Sequence, residues 1–189
     1  MLTVCAVLAN AAHQDWEIEH IDVKSAYLNA PLKEEINMKP LHSILKPGQK
    51  GKVLRLLKGL YGLKQPGRSW YLKMSKILRT DMGFKQSQID HSVFYRKSGN
   101  KHTIIAVATD DMVVTSKRNI DTVKFKSNVK QHWEMMDRRP FQWFLGFEIK
   151  RNRKSRTISI NQHVYIKSMV KQFRLTNAKH VSTPMEPIA

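Results

Sequence analysis

The sequence is short of several things. It has one cysteine, Cys5, in 189 residues. That excludes an internal disulfide framework and a cysteine-rich zinc site, and it agrees with a reducing compartment. No apolar run approaches the roughly 20 residues of a membrane-spanning helix. The opening stretch MLTVCAVLANAAHQDWEIEH is only briefly apolar and has no basic leader, so it does not read as a signal peptide. Internal repeats and low-complexity tracts are absent. Acids are scarce: 15 Asp and Glu stand against 33 Lys and Arg, for a formal net charge of +18.

The shortage of acids is uneven. Residues 1–40 hold six acids and three bases, whereas residues 41–189 hold nine acids and thirty bases. A basic body with a locally acidic element points to a polyanion partner and a cation site. Nucleic acid is the favoured polyanion; a membrane surface is the alternative, but no long basic amphipathic helix stands out. The plainest reading is a basic surface that serves solubility. The 41% hydrophobic content is ample for a core, and the length fits one domain with at most a small appendage.

Against this background, Asp110 and Asp111 sit side by side in IIAVATDDMVVTS, residues 104–116. Two β-branched apolar runs broken by two polar residues read as a β-hairpin. Asp-Asp is a poor two-residue turn, because such turns need positive φ and favour Asn-Gly or Asp-Gly. Two like charges ~4 Å apart also repel by about 4 kcal/mol at an effective dielectric of about 20. A divalent cation explains the pair better, since hard cations take carboxylate oxygens and share them with substrate phosphates. A solvated turn with two acids is the bland alternative.

The rest of the chain alternates helices with strands. DWEIEHIDVKSAYL reads as a strand ending near Asp22, followed by a helical turn. PLHSILKPGQKGKV, residues 40–53, is a loop by its prolines and glycines. Trp70, Met74, Ile77 and Leu78 share one apolar helix face, and Gly83 closes that helix. SVFYRK and HTIIAVAT read as strands. Phe125, Val129 and Trp133 recur every four residues, which predicts a second helix over 118–133. FQWFLGFEIKRN and TISINQ read as two strands joined by basic KRNRKSR, HVYIKSMVKQF as a final helix, and NAKHVSTPMEPIA as a frayed tail. This order predicts an α+β sandwich with a ferredoxin-like βαββαβ arrangement in the middle. There the end of the Asp22 strand and the hairpin tip share one edge, which gathers three carboxylates.

HIDVKSAYLNAPLKEEINMKP, LLKGLYGLKQPGRSWY, DDM, FLGFEIKRN and YIKSMVKQFRLTNAKHVSTPM occur in that order. Together they resemble the reverse transcriptase of copia-type LTR retrotransposons, over residues 2–187. The resemblance implies RNA-directed DNA synthesis by a palm subdomain at 1–140, with the palm–thumb junction and start of the thumb at 141–189. It implies that Asp22, Asp110 and Asp111 are the catalytic, metal-binding aspartates, that Val23 offers a backbone carbonyl, and that two Mg²⁺ ions are used, with Mn²⁺ as a substitute. The chemistry would be in-line phosphoryl transfer. The implied partners are an RNA template, a DNA primer, deoxynucleoside triphosphates and further polyprotein segments.

Other residues follow from the same resemblance. Tyr27, five residues after Asp22, resembles the steric gate that crowds a ribonucleotide 2′-hydroxyl; a half-buried tyrosine packing on the sheet is the alternative. Residues 59–71 resemble the template- and nucleotide-facing block, with Lys64 and Gln65 toward nucleotide and Arg68 toward phosphate. Gly59 and Gly62 would permit close backbone approach there, and Pro66 would begin the following helix. Ordinary solvated charges are the alternative for Lys64 and Arg68. FQWFLGFEIKRN resembles the strand pair that grips the primer near the palm–thumb junction. Its Phe141, Trp143, Phe144 and Phe147 are assigned to packing, and Lys150 and Arg151 to the nucleic-acid backbone. The eight histidines show no ligand spacing and are read as structural.

Two departures qualify the match. Ala108 and Thr109 stand where the family usually has an aromatic and an aliphatic residue before the aspartate pair. The fingers, RNase H, protease and integrase of a family polyprotein are not in this sequence, so a fragment is expected. Three outcomes follow: a working palm, an inactive nucleic-acid-binding relic or co-opted binding module, or a polypeptide that folds poorly alone because apolar palm surface is exposed. The family implies cytoplasm or nucleus; the sequence does not choose between them.

Overall fold

The structure, a computed structural model, describes residues 2–41, 43, 51–137 and 141–179. The chain begins with α1 (Leu2–His13), which buries Val4, Val7, Leu8, Ala11 and Ala12. Those positions follow the i, i+3, i+4, i+7 rhythm of one helix face, yet the segment reads from sequence only as an apolar stretch. β1 (Glu17–Val23) follows, then the expected helical turn at Ala26–Asn29. A small ribbon pairs β2 (Asn37–Met38) with β3 (Leu54–Arg55). Most of the loop expected over 40–53 lies outside the described residues, as does most of the tail.

α2 (Gln65–Lys76) carries Pro66 in its first turn and continues into a wider turn at Ile77–Asp81. Trp70, Met74 and Leu78 are buried along it, as their spacing predicts. Gly83 ends it with φ +68°, a left-handed value that suits glycine. Then come β4 (Lys85–Gln86), β5 (Val93–Ser98), β6 (Lys101–Ala108) and β7 (Asp111–Ser116). α3 (Asn119–His132) opens on a two-pronged Arg118–Asp121 ion pair, with Nε and Nη2 2.9 and 2.7 Å from the carboxylate oxygens. β8 (Met135–Asp137) completes the main sheet.

That sheet has the order β4-β5-β6-β7-β1-β8, antiparallel throughout. The connectivity β1-α2-β6-β7-α3-β8 is the expected βαββαβ unit, with spatial order β6-β7-β1-β8. Period-2 alternation sends side chains to two faces. One face joins Ile21, Val23, Ile105, Val107, Met112 and Val114 to the buried stripes of α2 and α3, including Trp70, Phe125 and Trp133. Each such large side chain contributes about 1.5–3 kcal/mol by leaving water. On this face Lys126 of α3 pairs with Glu19 and lies 2.9 and 3.0 Å from the two Asp137 carboxylate oxygens, so it ties β8 to β1. The other face joins Ala106 and Val113 to Val4, Val7 and Leu8 of α1 and to Phe144 and Ile149 of a second sheet.

The second sheet holds β9 (Trp143–Phe144), β10 (Phe147–Asn152) and β11 (Thr157–Asn161), in the order β11-β10-β9. FQWFLGFEIKRN, one strand by its residues and a strand pair by the resemblance, is a pair of strands. Leu145 and Gly146 take φ of +50° and +79° and fold the segment back as a tight hairpin. Of the aromatics assigned to packing, Phe144 is buried and Phe141 is half-buried against the core, but Trp143 is 47% exposed and departs from that assignment. The strand alternation that buries Phe144 turns its neighbour outward. α4 (His163–Gln172) ends the described chain and buries none of its residues. Among the described residues, no helix is long and apolar enough to cross a membrane.

Candidate active-site edge

The edge where β1 ends and β6 turns into β7 carries the acids. Ala108 pairs with Asp111, so the turn residues are Thr109 and Asp110, one position earlier than an Asp-Asp turn. Thr109 takes φ +58°, an uncommon conformation for a β-branched residue. Two hydrogen bonds hold it there. The Trp70 indole Nε1 donates to the Thr109 carbonyl at 2.7 Å, and the Val23 amide donates to the Asp110 carbonyl at 2.8 Å. Asp111 is then the first residue of β7 and pairs directly with Asp22 of β1. Directly opposed residues on an antiparallel pair have Cα atoms about 4.5–5.5 Å apart and share a face. The structure thus brings Asp22, Asp110 and Asp111 to one corner, as the hairpin reading expects.

Each hairpin acid has a specific partner. The Tyr61 hydroxyl donates to Asp110 Oδ2 at 3.1 Å. Burial and the neighbouring Asp110 carboxylate raise the Tyr61 phenol above its ordinary value. His20 Nε2 lies 2.6 Å from Asp111 Oδ1. Neither partner was singled out from the sequence. For His20 a signal exists: it precedes Asp22 by two residues on a strand, so the two share a face. Tyr61 sits in a loop without periodicity, and nothing in the sequence ties it to Asp110.

The residues implied by resemblance surround this corner unevenly. Val23 is fully buried beneath it. Tyr27 is half-buried, and its ring stands 4.5 Å from that of Tyr61, tilted by 36°. Gly59 is required where it is: a Cβ there would meet Pro66 at 2.7 Å and the Tyr27 carbonyl at 2.8 Å. This contact seats the start of α2 beside Tyr27. Gly62 has φ +93° and faces open space, so its role is conformational. Lys64 immediately precedes α2, Gln65 opens it, and Lys64 and Arg68 are exposed. Lys150 and Arg151 lie on β10. Lys150 is exposed and sits 3.0 Å from Glu148, while Arg151 Nη2 donates to Asp15 Oδ1 at 3.0 Å.

As a test of metal fit, the donor set is three carboxylates at one corner, all oxygen ligands suited to a hard cation. Among the described residues no three His, Cys, Asp or Glu side chains already converge as a ligand cluster. Asp111 engages His20 through Oδ1, and Asp110 engages Tyr61 through Oδ2. Three unneutralised carboxylates would repel one another if they converged. The residue types and backbone placement fit a divalent cation.

Comparison with known proteins gives a consistent result. The family described as "Reverse transcriptase (RNA-dependent DNA polymerase)" matches residues 2–187. The "Retrovirus-related Pol polyprotein from transposon TNT 1-94" of Nicotiana tabacum is 36% identical over 185 residues, which is 98% of this chain and 14% of that protein. The "Retrovirus-related Pol polyprotein from transposon RE1" of Arabidopsis thaliana is 30% identical over 181 residues, 96% of this chain and 12% of that protein. The "Transposon Ty1-BL Gag-Pol polyprotein" of Saccharomyces cerevisiae is 34% identical over 129 residues, 65% of this chain and 7% of that protein. The chain therefore spans about a seventh or less of the length of these relatives.

Proposed function

The chain belongs to the copia-type retrotransposon branch of the reverse transcriptase family, and on that premise we propose that it is the palm of such an enzyme, performing RNA-directed DNA synthesis at Asp22, Asp110 and Asp111. The observation that carries this reading is the register: Asp22 opposes Asp111 across β1 and β7, with Asp110 on the adjoining turn. Residues 1–140 would form the palm and 141–189 the palm–thumb junction and start of the thumb. The separate sheet β9–β11 supports that division.

The three aspartates, with the Val23 carbonyl, would hold two Mg²⁺ ions, which when bound activate the primer 3′-hydroxyl and neutralise the triphosphate. The protein's own share is position and charge. Tyr27 would crowd a ribonucleotide 2′-hydroxyl from its half-buried place beside Tyr61. Lys64 and Gln65 would face the nucleotide, and Arg68 and Lys150 the phosphates of the RNA template and DNA primer. Arg151 would contribute the donors that its pair with Asp15 leaves over, since a guanidinium has five.

A specific observation favours a second reading. Asp110 and Asp111 are each already held by a protein side chain, as they would be in an inactive nucleic-acid-binding relic. Primer extension on an RNA template with Mg²⁺ decides between them. The proposal expects extension by the wild type and a loss of about a hundredfold or more in Asp110→Asn, since metal stabilisation is worth several kcal/mol. No extension by a folded wild type that still binds RNA–DNA in a salt-sensitive way establishes the relic.

A further inference from the structure

His20 is hydrogen-bonded to Asp111, one of the three aspartates. It is 7% exposed and lies on the same face of β1 as Asp22, two cross-strand pairs inward. The register sets His20 opposite Val113, which puts it diagonal to Asp111, a distance that a long side chain spans. Its Nε2 reaches Asp111 Oδ1 at 2.6 Å. A carboxylate only accepts, so the ring N–H donates. Among the described residues, the hydrogen bond to His20 engages Oδ1 of Asp111.

The ring is also fixed from its other side. Phe144 meets it edge-on at 5.4 Å and 80°, and Phe141 at 5.9 Å and 77°. Phe144 belongs to β9 of the second sheet, and Phe141 lies just before that strand. His20 is thus gripped by the 141–144 segment and in turn grips Asp111. Carboxylates that bind metals commonly accept a hydrogen bond from an outer partner that fixes their orientation, and loss of such a partner weakens binding or activity by about 10–100-fold.

We propose that His20 is a positioning residue for Asp111: its Nε2–H orients the carboxylate for a divalent cation, and Phe141 and Phe144 hold the imidazole in the posture that does so. The proposal rests on the reading of Asp22, Asp110 and Asp111 as a metal-binding set.

The test uses the full chain and Mn²⁺ as the probe, followed by electron paramagnetic resonance, which reads binding without turnover. Four proteins are compared: wild type, Asp110→Asn, His20→Phe and His20→Gln. Phenylalanine keeps the packing against Phe141 and Phe144 but removes the donor; glutamine restores a donor. A thermal melt of each variant separates folding from site effects. The expected result is Mn²⁺ binding that Asp110→Asn weakens, that His20→Phe weakens by about 10–100-fold at an unchanged melting point, and that His20→Gln largely restores. Equal binding by wild type and His20→Phe overturns the proposal while leaving the metal site in place. Tighter binding by His20→Phe also overturns it, because His20 would then be a competitor for Asp111. If Asp110→Asn leaves wild-type Mn²⁺ binding unchanged, or the wild type binds none, the metal-set reading fails, and this proposal fails with it.

Discussion

On one face of the central sheet, β1 turns Glu19, Ile21 and Val23 toward α2 and α3; on the other, the same strand presents Ile18, His20 and Asp22 on the side of α1 and the small sheet. The first face is closed. Its aromatic stripes interlock with a T-shaped Trp70–Trp133 pair at 5.1 Å and a Phe84–Phe125 pair at 5.6 Å. The second face has a smaller apolar cluster and ends in acids. It also has ionic attachments: Arg153 donates to Asp15 and Glu17 at 2.9 and 2.8 Å, and Arg151 joins it on Asp15. The difference teaches where rigidity comes from. The closed face holds the strands still, so the open face can carry repelling charges at one corner without losing its register.

That contrast can be broken by truncation. Phe125→Ala on the closed face should cost about 3–5 kcal/mol, read from urea denaturation, because a well-packed site relaxes little around the cavity. Phe144→Ala on the open face should cost less, since its smaller cluster has room to collapse. Equal costs would mean that the two faces are packed to the same standard.

Acid sharpens the contrast. Asp90 accepts from the Ser92 hydroxyl and amide, at 2.6 and 2.9 Å, and from Thr3 of α1. These bonds, the Ser92 hydroxyl first, lower its pKa to about 2. A depressed carboxylate favours the folded state above its unfolded pKa of about 3.9 and loses that contribution as pH falls through the folded value. Stability should therefore decline between about pH 4 and pH 2, with the N-terminus of α1 loosening from the turn that precedes β5. In Asp90→Asn the decline should be shallower over the same range; a slope identical to wild type would show that other acids carry it.

The smallest effect belongs to the arginine contacts. Asp15→Asn removes a group that Arg153, foremost, holds below its ordinary pKa. The pair is exposed enough for screening to matter, so the variant should lower the melting temperature slightly in dilute buffer and not at all in about 1 M salt, where the screening length is about 3 Å. A salt-independent loss would mean that Asp15 packs rather than pairs.

The same division explains what the sequence let one read. The closed face is written in local periodicity: Trp70, Met74 and Leu78, then Phe125, Val129 and Trp133, announce α2 and α3. The alternation in β1, β6 and β7 announces the strands and their βαββαβ order. α1 is less visible because two of its buried positions are alanines, Ala11 and Ala12. β4 and β8 are two and three residues long, too short for any period. At the site, the acids announce themselves by chemistry and Gly59 by its motif. His20 does not, because its contact depends on a pairing 91 residues away. The sequence pattern carries the strand through Thr109, and only the register shows that residue to be half of the turn.

That long-range pairing has a consequence in time. β1 lies between β7 and β8, and both neighbours come late in the chain. At about 5–20 residues per second of synthesis, β1 leaves the ribosome roughly 5–20 s before β7 exists. During that interval both of its edges are unpaired, and Ile18, Ile21 and Val23 are uncovered. β5, β6 and β7 can zip through short turns as soon as they emerge, whereas inserting β1 must close a long loop. The meeting of Asp22 and Asp111 is therefore among the last events of folding, and a chain that has gathered its acids has completed its central sheet.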